Sequence, residues 1–303
     1  MADEMIRATA AKGGIRAVGI TGKAFIEEAR RRHHLSAVGT AALGQAMIAT
    51  LMLCSTMKAP QSRVSLQILG NGPLGTVFAD AGLDGTVRGF VQHPYLELLP
   101  TDRGLDVAGA IGKEGFLYII RDEGKDMPYT STVELVSGEV SQDVANYLFT
   151  SEQTPSVMLL GVFISDKGVE VAGGILLQLM PQEAENESLI MLLEERIKKL
   201  DSFSTLLRSG KSIAQILCDI LEGLEPKVLP YTQPLKFACR CSFDRVLGAL
   251  HILGIAELKD MLEKDGGAEV TCQFCNTVYR ADRIDLGKII MNMQAEEQAL
   301  SDR

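Results

Sequence analysis

The 303-residue sequence contains no tryptophan, and aromatic residues make up only 5% of it. So few rings argue against the base-stacking platforms that RNA-binding modules use. The chain also lacks an excess of positive charge, because its formal net charge is −9. Nucleic acids and anionic membranes are bound by positively charged surfaces, so we expect neither as a partner.

A secretory signal is also missing from the N-terminus, which shows no basic segment followed by an apolar one. We therefore expect a cytoplasmic protein, where the six cysteines stay reduced and form no disulfide framework. The uncharged stretch 35–57 is long enough to cross a membrane. Its richness in Ala, Gly, Ser and Thr instead predicts a buried helix.

The composition is typical of a globular protein, with 46% apolar and 23% charged residues. The length suggests about two domains. Residues 1–183 predict a mixed α/β core domain, because short strand-like runs bounded by glycine alternate with helical patterns. The predicted strands are 64–69, 76–79, 86–91, 115–121, 130–136, 157–164 and 169–180. The predicted helices are 24–32, 36–57 and 141–150, the last of them capped by Ser141.

Residues 184–231 predict an amphipathic helical linker. Between 189 and 207, large apolar residues recur every three or four positions, as on one face of a helix that ends at Gly210. A second helix is expected over 212–221, and three prolines then indicate an extended connection. The linker has too little apolar surface for a core of its own. It must therefore pack on another part of the protein.

Residues 232–303 predict a small C-terminal domain with a helical tail from Ile284. A core of about fifty residues, 232–283, rarely suffices without a covalent or metal staple. Four cysteines could supply one: a Cys-x-Cys pair, a 30-residue interval and a Cys-x-x-Cys pair. The interval predicts two short helices, and the second pair fits the turn of a hairpin. The expected fold class is α+β. The candidate ligands are Cys239, Cys241, Cys272 and Cys275.

Two close cysteine pairs can place four thiolates around a tetrahedral Zn²⁺, and soft sulfur ligands favour zinc over magnesium or calcium. A closed set of four ligands leaves no open catalytic position, so we expect a non-enzymatic site. An iron–sulfur cluster and four unrelated thiols are the alternatives. The Cys-x-Cys spacing holds two sulfurs close enough to oxidise together, which suggests a site that oxidation opens.

Several segments, together with the cysteine pattern, resemble the redox-regulated 33-kDa heat-shock chaperone family of the bacterial cytosol, and the resemblance covers nearly the whole chain. The segments are Arg7-Ala-Thr-Ala-Ala-Lys-Gly-Gly-Ile-Arg16, Gly70-Asn-Gly-Pro-Leu-Gly75, Val87-Arg-Gly-Phe-Val-Gln-His-Pro94, Ser137-Gly-Glu-Val-Ser-Gln-Asp143, Tyr147-Leu-Phe-Thr-Ser-Glu-Gln-Thr-Pro155 and Ala172-Gly-Gly174.

The resemblance implies an ATP-independent holdase that is inactive while reduced and bound to one zinc per chain. It implies that oxidation forms the disulfides Cys239–Cys241 and Cys272–Cys275 and releases the zinc. The linker then unfolds, the protein forms a homodimer, and unfolding client proteins are bound. The energetics of zinc binding are consistent with this mechanism. A structural zinc contributes ~10–16 kcal/mol of folding free energy, whereas a whole domain has a net stability of only ~5–15 kcal/mol. Loss of zinc should therefore unfold the small domain and let the linker expose its apolar face.

Two other functions remain open from the residues alone. The Cys-x-x-Cys pair could serve a thiol–disulfide oxidoreductase, although such a site normally lies at a helix N-terminus. A zinc ribbon could also bind nucleic acid, but the net negative charge of the chain argues against this function. Gly70–Gly75 fits a dinucleotide-binding pattern, but Pro73 and the strand that follows predict a plain turn. Cys54 and Cys218 are expected to be small buried apolar residues.

Overall fold

The computed structural model describes residues 2–101, 104–125 and 127–301. Contacts within it divide the chain into two units, Met1–Ala238 and Cys239–Arg303. The predicted division into a core, a linker and a C-terminal domain stays a prediction, because packing in one conformation does not show which segments fold independently. In this structure, residues 184–238 pack with the first unit.

The first unit contains both sheets and the linker helices. Its elements are β1 (Glu4–Ala10), β2 (Ile15–Thr21), α1 (Lys23–His33), α2 (Ala37–Cys54), β3 (Arg63–Gly70), β4 (Val77–Gly82), β5 (Thr86–Val91), α3 (Val107–Ile111), β6 (Gly115–Asp122), β7 (Tyr129–Glu134), α4 (Val140–Thr150), β8 (Ser156–Ser165), β9 (Gly168–Leu179), α5 (Glu187–Lys198), α6 (Phe203–Arg208), α7 (Ile213–Ile220), β10 (Lys227–Val228), β11 (Gln233–Pro234) and β12 (Lys236–Phe237).

Two six-stranded sheets form the framework. The first has the order β10-β1-β2-β9-β8, and β11 also pairs with β1. The second has the order β12-β5-β4-β3-β6-β7. Pairing in the described strands is antiparallel except between β12 and β5, which run parallel. The mixed α/β core expected from the sequence is confirmed.

Helix α2 lies at the centre of the first unit. It begins after Ser36, whose hydroxyl accepts a hydrogen bond from the backbone N–H of Gly39. It contacts β3, β4 and β5 of one sheet and β8 and β9 of the other. Among the described residues it is the one helix long and apolar enough to cross a membrane, and 89% of that span is buried inside the protein. The predicted buried helix is therefore a core helix, apolar on all sides because both sheets cover it.

A buried ionic cluster joins three strands of the second sheet. Asp80 on β4 is only 5% exposed. Its carboxylate accepts hydrogen bonds from the guanidinium of Arg63 on β3, from Nε of Arg88 on β5 at 2.9 Å and from the hydroxyl of Ser65 at 3.1 Å. Burial by itself raises the pKa of Asp80, but the hydrogen bonds and charges of Arg63 and Arg88 outweigh it and hold that pKa below its usual range.

We expect Asp80→Asn to lower the free energy of unfolding by about 1–3 kcal/mol, because two buried guanidinium groups lose a charged acceptor. A carboxyl with a lowered pKa in the folded state stabilises the fold above its unfolded pKa of about 3.9 and loses that contribution as pH falls further. The difference between wild type and variant should thus shrink below about pH 4. Urea titrations followed by circular dichroism, at several pH values, measure both effects.

The control for this prediction is Asp219→Asn. Asp219 also pairs with a cation, Lys211 at 2.7 Å, but both side chains are more than half exposed. Exposed pairs contribute ~0–1 kcal/mol, so this variant should unfold close to wild type. An equal loss in the two variants would show that the buried cluster has no special stabilising role.

The linker helices α5, α6 and α7 cover one face of the first sheet. Side chains alternate between the faces of a strand, so Ile6, Ala17 and Leu177 point to the linker, while Val18 and Leu176 belong to the core around α2. The apolar face predicted for the linker is buried here. The residues it contributes include Leu189, Leu193, Phe203, Ile213, Ile216, Leu217 and Ile220.

Close approach of α6 to β8 depends on Gly161. A Cβ atom at this position would lie 2.6 Å from the backbone nitrogen of Ser204. Nearby, the guanidinium carbon of Arg208 lies 4.0 Å from the ring centre of Phe163, a cation–π contact between α6 and β8. The linker is thus fitted to the sheet surface by backbone contact as well as by apolar side chains.

The second unit is small and built around one hairpin. Its elements are α8 (Phe243–Ile252), α9 (Ile255–Lys264), β13 (Ala268–Thr271), β14 (Val278–Ala281) and α10 (Arg283–Ser301). The buried residues of its apolar core are Val246, Leu250, Leu258, Ala281, Leu286, Ile289 and Ile290. The two short helices, the hairpin and the helical tail predicted from the sequence are all present.

Two local predictions for the first unit were wrong. Helix α4 is preceded by Glu139 as its N-cap and has no side-chain cap, so Ser141 lies inside the helix. The long linker helix expected to end at Gly210 is two helices, because Ser202 starts α6 by accepting a hydrogen bond from the backbone N–H of Thr205. The second linker helix, α7, is as expected, with a capping box formed by Ser212 and Gln215.

Candidate metal centre

The four predicted cysteines lie in two places in the second unit: one pair just before α8, and the other pair in the turn between β13 and β14. Cys239 and Cys241 precede α8, whose N-cap Ser242 accepts a hydrogen bond from the backbone N–H of Arg245. Cys272 and Cys275 lie in the turn between β13 and β14. The turn is closed by hydrogen bonds from the backbone N–H groups of Cys275 and Asn276 to the carbonyl of Cys272. The second pair is thus positioned by a hydrogen-bonded turn, and the first pair leads directly into a capped helix.

The fold brings all four sulfur atoms together. Every Sγ lies within 4.8 Å of the other three. The Sγ atoms of Cys239 and Cys272 are 3.7 Å apart, and those of Cys241 and Cys275 are 3.4 Å apart. Tetrahedral Zn–S bonds of 2.3 Å place sulfurs about 3.8 Å apart. The spacing and the donor type therefore fit a tetrahedral metal ion with four sulfur ligands.

Two hydroxyl groups, one on β14 and one just before this strand, each contact a sulfur atom of the cluster. The Tyr279 hydroxyl donates a hydrogen bond to Sγ of Cys241 at 3.1 Å. The hydroxyl oxygen of Thr277 lies 3.2 Å from Sγ of Cys275. Sequence reasoning missed both residues. The sequence carries only a weak signal for them: Thr277 and Tyr279 are spaced by two, as residues on one face of a strand are, but β14 begins only at Val278.

The protonated form is favoured at two of the four thiols, those of Cys241 and Cys272. Burial raises the pKa of Cys241, and burial together with neighbouring thiols raises the pKa of Cys272 to about 12. The hydrogen bond to Cys241 raises the pKa of Tyr279 to about 12. A metal that binds here must displace protons, and its positive charge compensates for the clustering of thiolates.

The remaining candidate residues lie apart from this cluster. Cys54 is buried in α2, and burial raises the pKa of its thiol to about 11, so it is unreactive. Cys218 is half-buried on α7. His251 lies 3.6 Å from a carboxylate oxygen of Glu296. Gly70–Gly75 forms a turn between β3 and β4, as predicted, where a Cβ at Gly72 would lie 2.3 Å from the carbonyl oxygen of Ala110.

Fold and site together define a protein class: a two-sheet core with a packed helical linker, followed by a small unit with four clustered cysteines. The family model described as "Hsp33 protein" matches residues 3–282. The chain therefore belongs to the Hsp33 protein family.

Named relatives agree with this assignment. The chain is 58% identical over 298 residues to a 33 kDa chaperonin of Synechocystis sp., covering 98% of this chain and 99% of that one. It is also 58% identical to a 33 kDa chaperonin of Rippkaea orientalis, with the same coverage. The crystal structure of a 33 kDa chaperonin from Thermotoga maritima has a TM-score of 0.90 at 34% identity. That match covers 97% of this chain and 100% of the other. These relatives support a chaperone function.

Proposed function

We propose that this protein is a redox-regulated, ATP-independent holdase of the cytoplasm rather than an enzyme. In the reduced state, Cys239, Cys241, Cys272 and Cys275 hold one zinc ion and the protein is inactive. Oxidation of these cysteines releases the zinc, frees the linker and activates binding of unfolding proteins by a homodimer. The observation that carries the proposal is the cluster of four sulfurs within 4.8 Å in a unit with a small core.

The zinc, when bound, would supply folding free energy to the second unit, as structural zinc sites do. The chain's own residues supply the switch. A hydroperoxide oxidises two thiols at a time. One S–S bond forms and the O–O bond breaks. Two electrons and two protons pass from the thiols to the peroxide, so that hydrogen peroxide gives two water molecules. We propose the pairs Cys239–Cys241 and Cys272–Cys275. Disulfide sulfurs are poor ligands compared with the thiolates that hold the metal.

The linker connects the switch to client binding. Its apolar face is buried on the first sheet, so the resting protein hides that surface. Release would expose both the linker face and the sheet face beneath it. Large exposed apolar patches are the surfaces to which unfolded chains bind.

The alternatives have less support. The thiol of an oxidoreductase has a lowered pKa at a helix N-terminus, whereas Cys272 lies in a hairpin turn and burial raises its pKa to about 12. A nucleic-acid-binding ribbon needs net positive charge, whereas residues 239–303 contain 8 Lys and Arg against 11 Asp and Glu.

The test measures zinc release and client protection in one sample. Reduced protein is treated with hydrogen peroxide at elevated temperature while a zinc-binding dye reports release and light scattering reports aggregation of a thermally unfolding client. We expect one zinc per chain to leave as protection appears, and a dithiol to reverse the activation. Cys218→Ser, which leaves the cluster intact, should behave as wild type. Retained zinc, or release without protection, would contradict the proposal.

A further inference from the structure

We propose that Tyr279 is a positioning residue that sets the sensitivity of the cysteine cluster to peroxide, through the hydrogen bond from its hydroxyl to Cys241. This inference rests on the proposed function, because it assigns a residue that tunes the same switch. It concerns the rate at which the cluster is oxidised and not whether it can be oxidised.

The geometry fixes the phenol in place. Tyr279 lies on β14 opposite Val270 of β13, so the hairpin sets the direction of its side chain. Its ring stacks on Phe243 of α8, with centroids 6.5 Å apart and an interplanar angle of 27°. The strand pairing and this ring contact together position the phenol, and its hydroxyl reaches Sγ of Cys241 at 3.1 Å.

Cys241 needs such a restraint more than Cys275 does. Cys275 is 2% exposed, so burial limits the access of an oxidant to its sulfur. Cys239, Cys241 and Cys272 are only half-buried, so a small peroxide can approach each of them. At Cys241, the hydroxyl of Tyr279 is placed to limit the reactivity of the exposed sulfur by electronic means.

A hydrogen bond to a thiolate supplies that limit. In the first step, the Cys241 thiolate attacks one oxygen of the peroxide, the S–O bond forms, the O–O bond breaks, and hydroxide leaves. In the second step, a neighbouring thiolate attacks the resulting sulfenic acid, the S–S bond forms, and a second hydroxide leaves. Negative charge moves from sulfur to oxygen in the first step, so a donor to the sulfur stabilises the reactant more than the transition state.

The principal experiment compares full-length wild type with Tyr279→Phe. The variant keeps the ring and its contact with Phe243 but loses the hydroxyl. We expect zinc release by peroxide to be severalfold faster and zinc affinity to fall roughly 10-fold, as for other residues that hydrogen-bond a metal ligand. Mass spectrometry of briefly treated protein should show the extra early oxidation at Cys241. The cobalt-loaded variant should show shifted sulfur-to-metal charge-transfer bands, because the lost hydroxyl contacts a ligating sulfur.

Two controls separate the hydroxyl from the ring. Phe243→Leu removes the stacking partner but keeps the hydroxyl, and it should move the cobalt bands less than Tyr279→Phe does. Tyr95→Phe removes a hydroxyl from an exposed residue of the first unit and should change nothing. Equal cobalt shifts in Phe243→Leu and Tyr279→Phe would overturn the inference, because packing alone would then explain them.

A second measurement covers the case in which Tyr279→Phe fails to fold. Protein that carries 3-fluorotyrosine at position 279 alone has a more acidic phenol there that donates more strongly, so zinc release should slow, and an unchanged rate would overturn the inference. If wild type releases zinc on oxidation and Tyr279→Phe matches its rate, the inference fails and the proposed function stands. If wild type itself keeps its zinc, the proposed function fails and the inference fails with it.

Discussion

Replacing Cys272 with serine is expected to leave the reduced protein without zinc and its second unit, Cys239–Arg303, largely unfolded. Among the described residues of this unit, the apolar core has seven buried residues, of which Leu258 and Leu286 are completely buried. A structural zinc contributes ~10–16 kcal/mol, as much as the net stability of a whole domain, ~5–15 kcal/mol. Serine keeps the volume of cysteine but is a poor ligand for a soft metal.

Amide hydrogen exchange followed by mass spectrometry measures this effect segment by segment. Helices α8, α9 and α10 should lose protection in Cys272→Ser, while β3, β4 and α2 of the first unit keep theirs. Cys218→Ser is the matched control, because Cys218 lies outside the cluster on α7. Full protection of α8 in zinc-free Cys272→Ser would show that the apolar core suffices without a metal.

The second large effect is expected for Leu217→Asp, which should make the reduced, zinc-loaded protein active as a holdase. Leu217 on α7 is completely buried against the first sheet. An unpaired carboxylate at such a site costs roughly 3–5 kcal/mol. Release of the linker avoids that cost, because the carboxylate then reaches water. The cysteine cluster is untouched, so zinc content should stay at one per chain.

Light scattering of an unfolding client, in the presence of reductant, tests this expectation. Limited proteolysis should show faster cleavage between α5 and α7 in the variant. Leu217→Met is the control, because a volume-conserving apolar change costs less than about 1.5 kcal/mol and should leave the protein inactive when reduced. If Leu217→Asp frees the linker without client protection, linker release alone does not activate the protein.

The cysteine cluster could be predicted from the sequence because its signal is local. Two pairs with short internal spacing, in a segment too small for an independent core, indicate a metal site whatever the rest of the fold is. The contacts of Tyr279 and Thr277 were missed because they depend on the register of the hairpin. Placing the Cys-x-x-Cys pair at the turn did not fix which of the residues that follow lie on the side of the sulfurs.

The fold was predictable where glycines bound the strands and where apolar residues recur at helical spacing. Strands β1 and β2 were not identified as strands. Strand β1 has only two β-branched residues in seven, whereas β2 has four, so the propensity of β2 for a strand was present in the sequence and was missed. Their partners, β9, β10 and β11, lie far along the chain, and no local pattern reveals such pairing. The break between α5 and α6 was missed because the apolar spacing continues across it.

The pairing of the first sheet also governs how the protein can be made. Strand β2 pairs with β9, and β1 is completed by β10 and β11, so the N-terminal hairpin leaves the ribosome long before its partners exist. At ~5–20 residues per second, β9 follows on the order of ten seconds later. An isolated two-stranded hairpin is marginally stable in water. The nascent chain must therefore carry this hairpin without its sheet partners while it grows, and during synthesis it is itself exposed to aggregation.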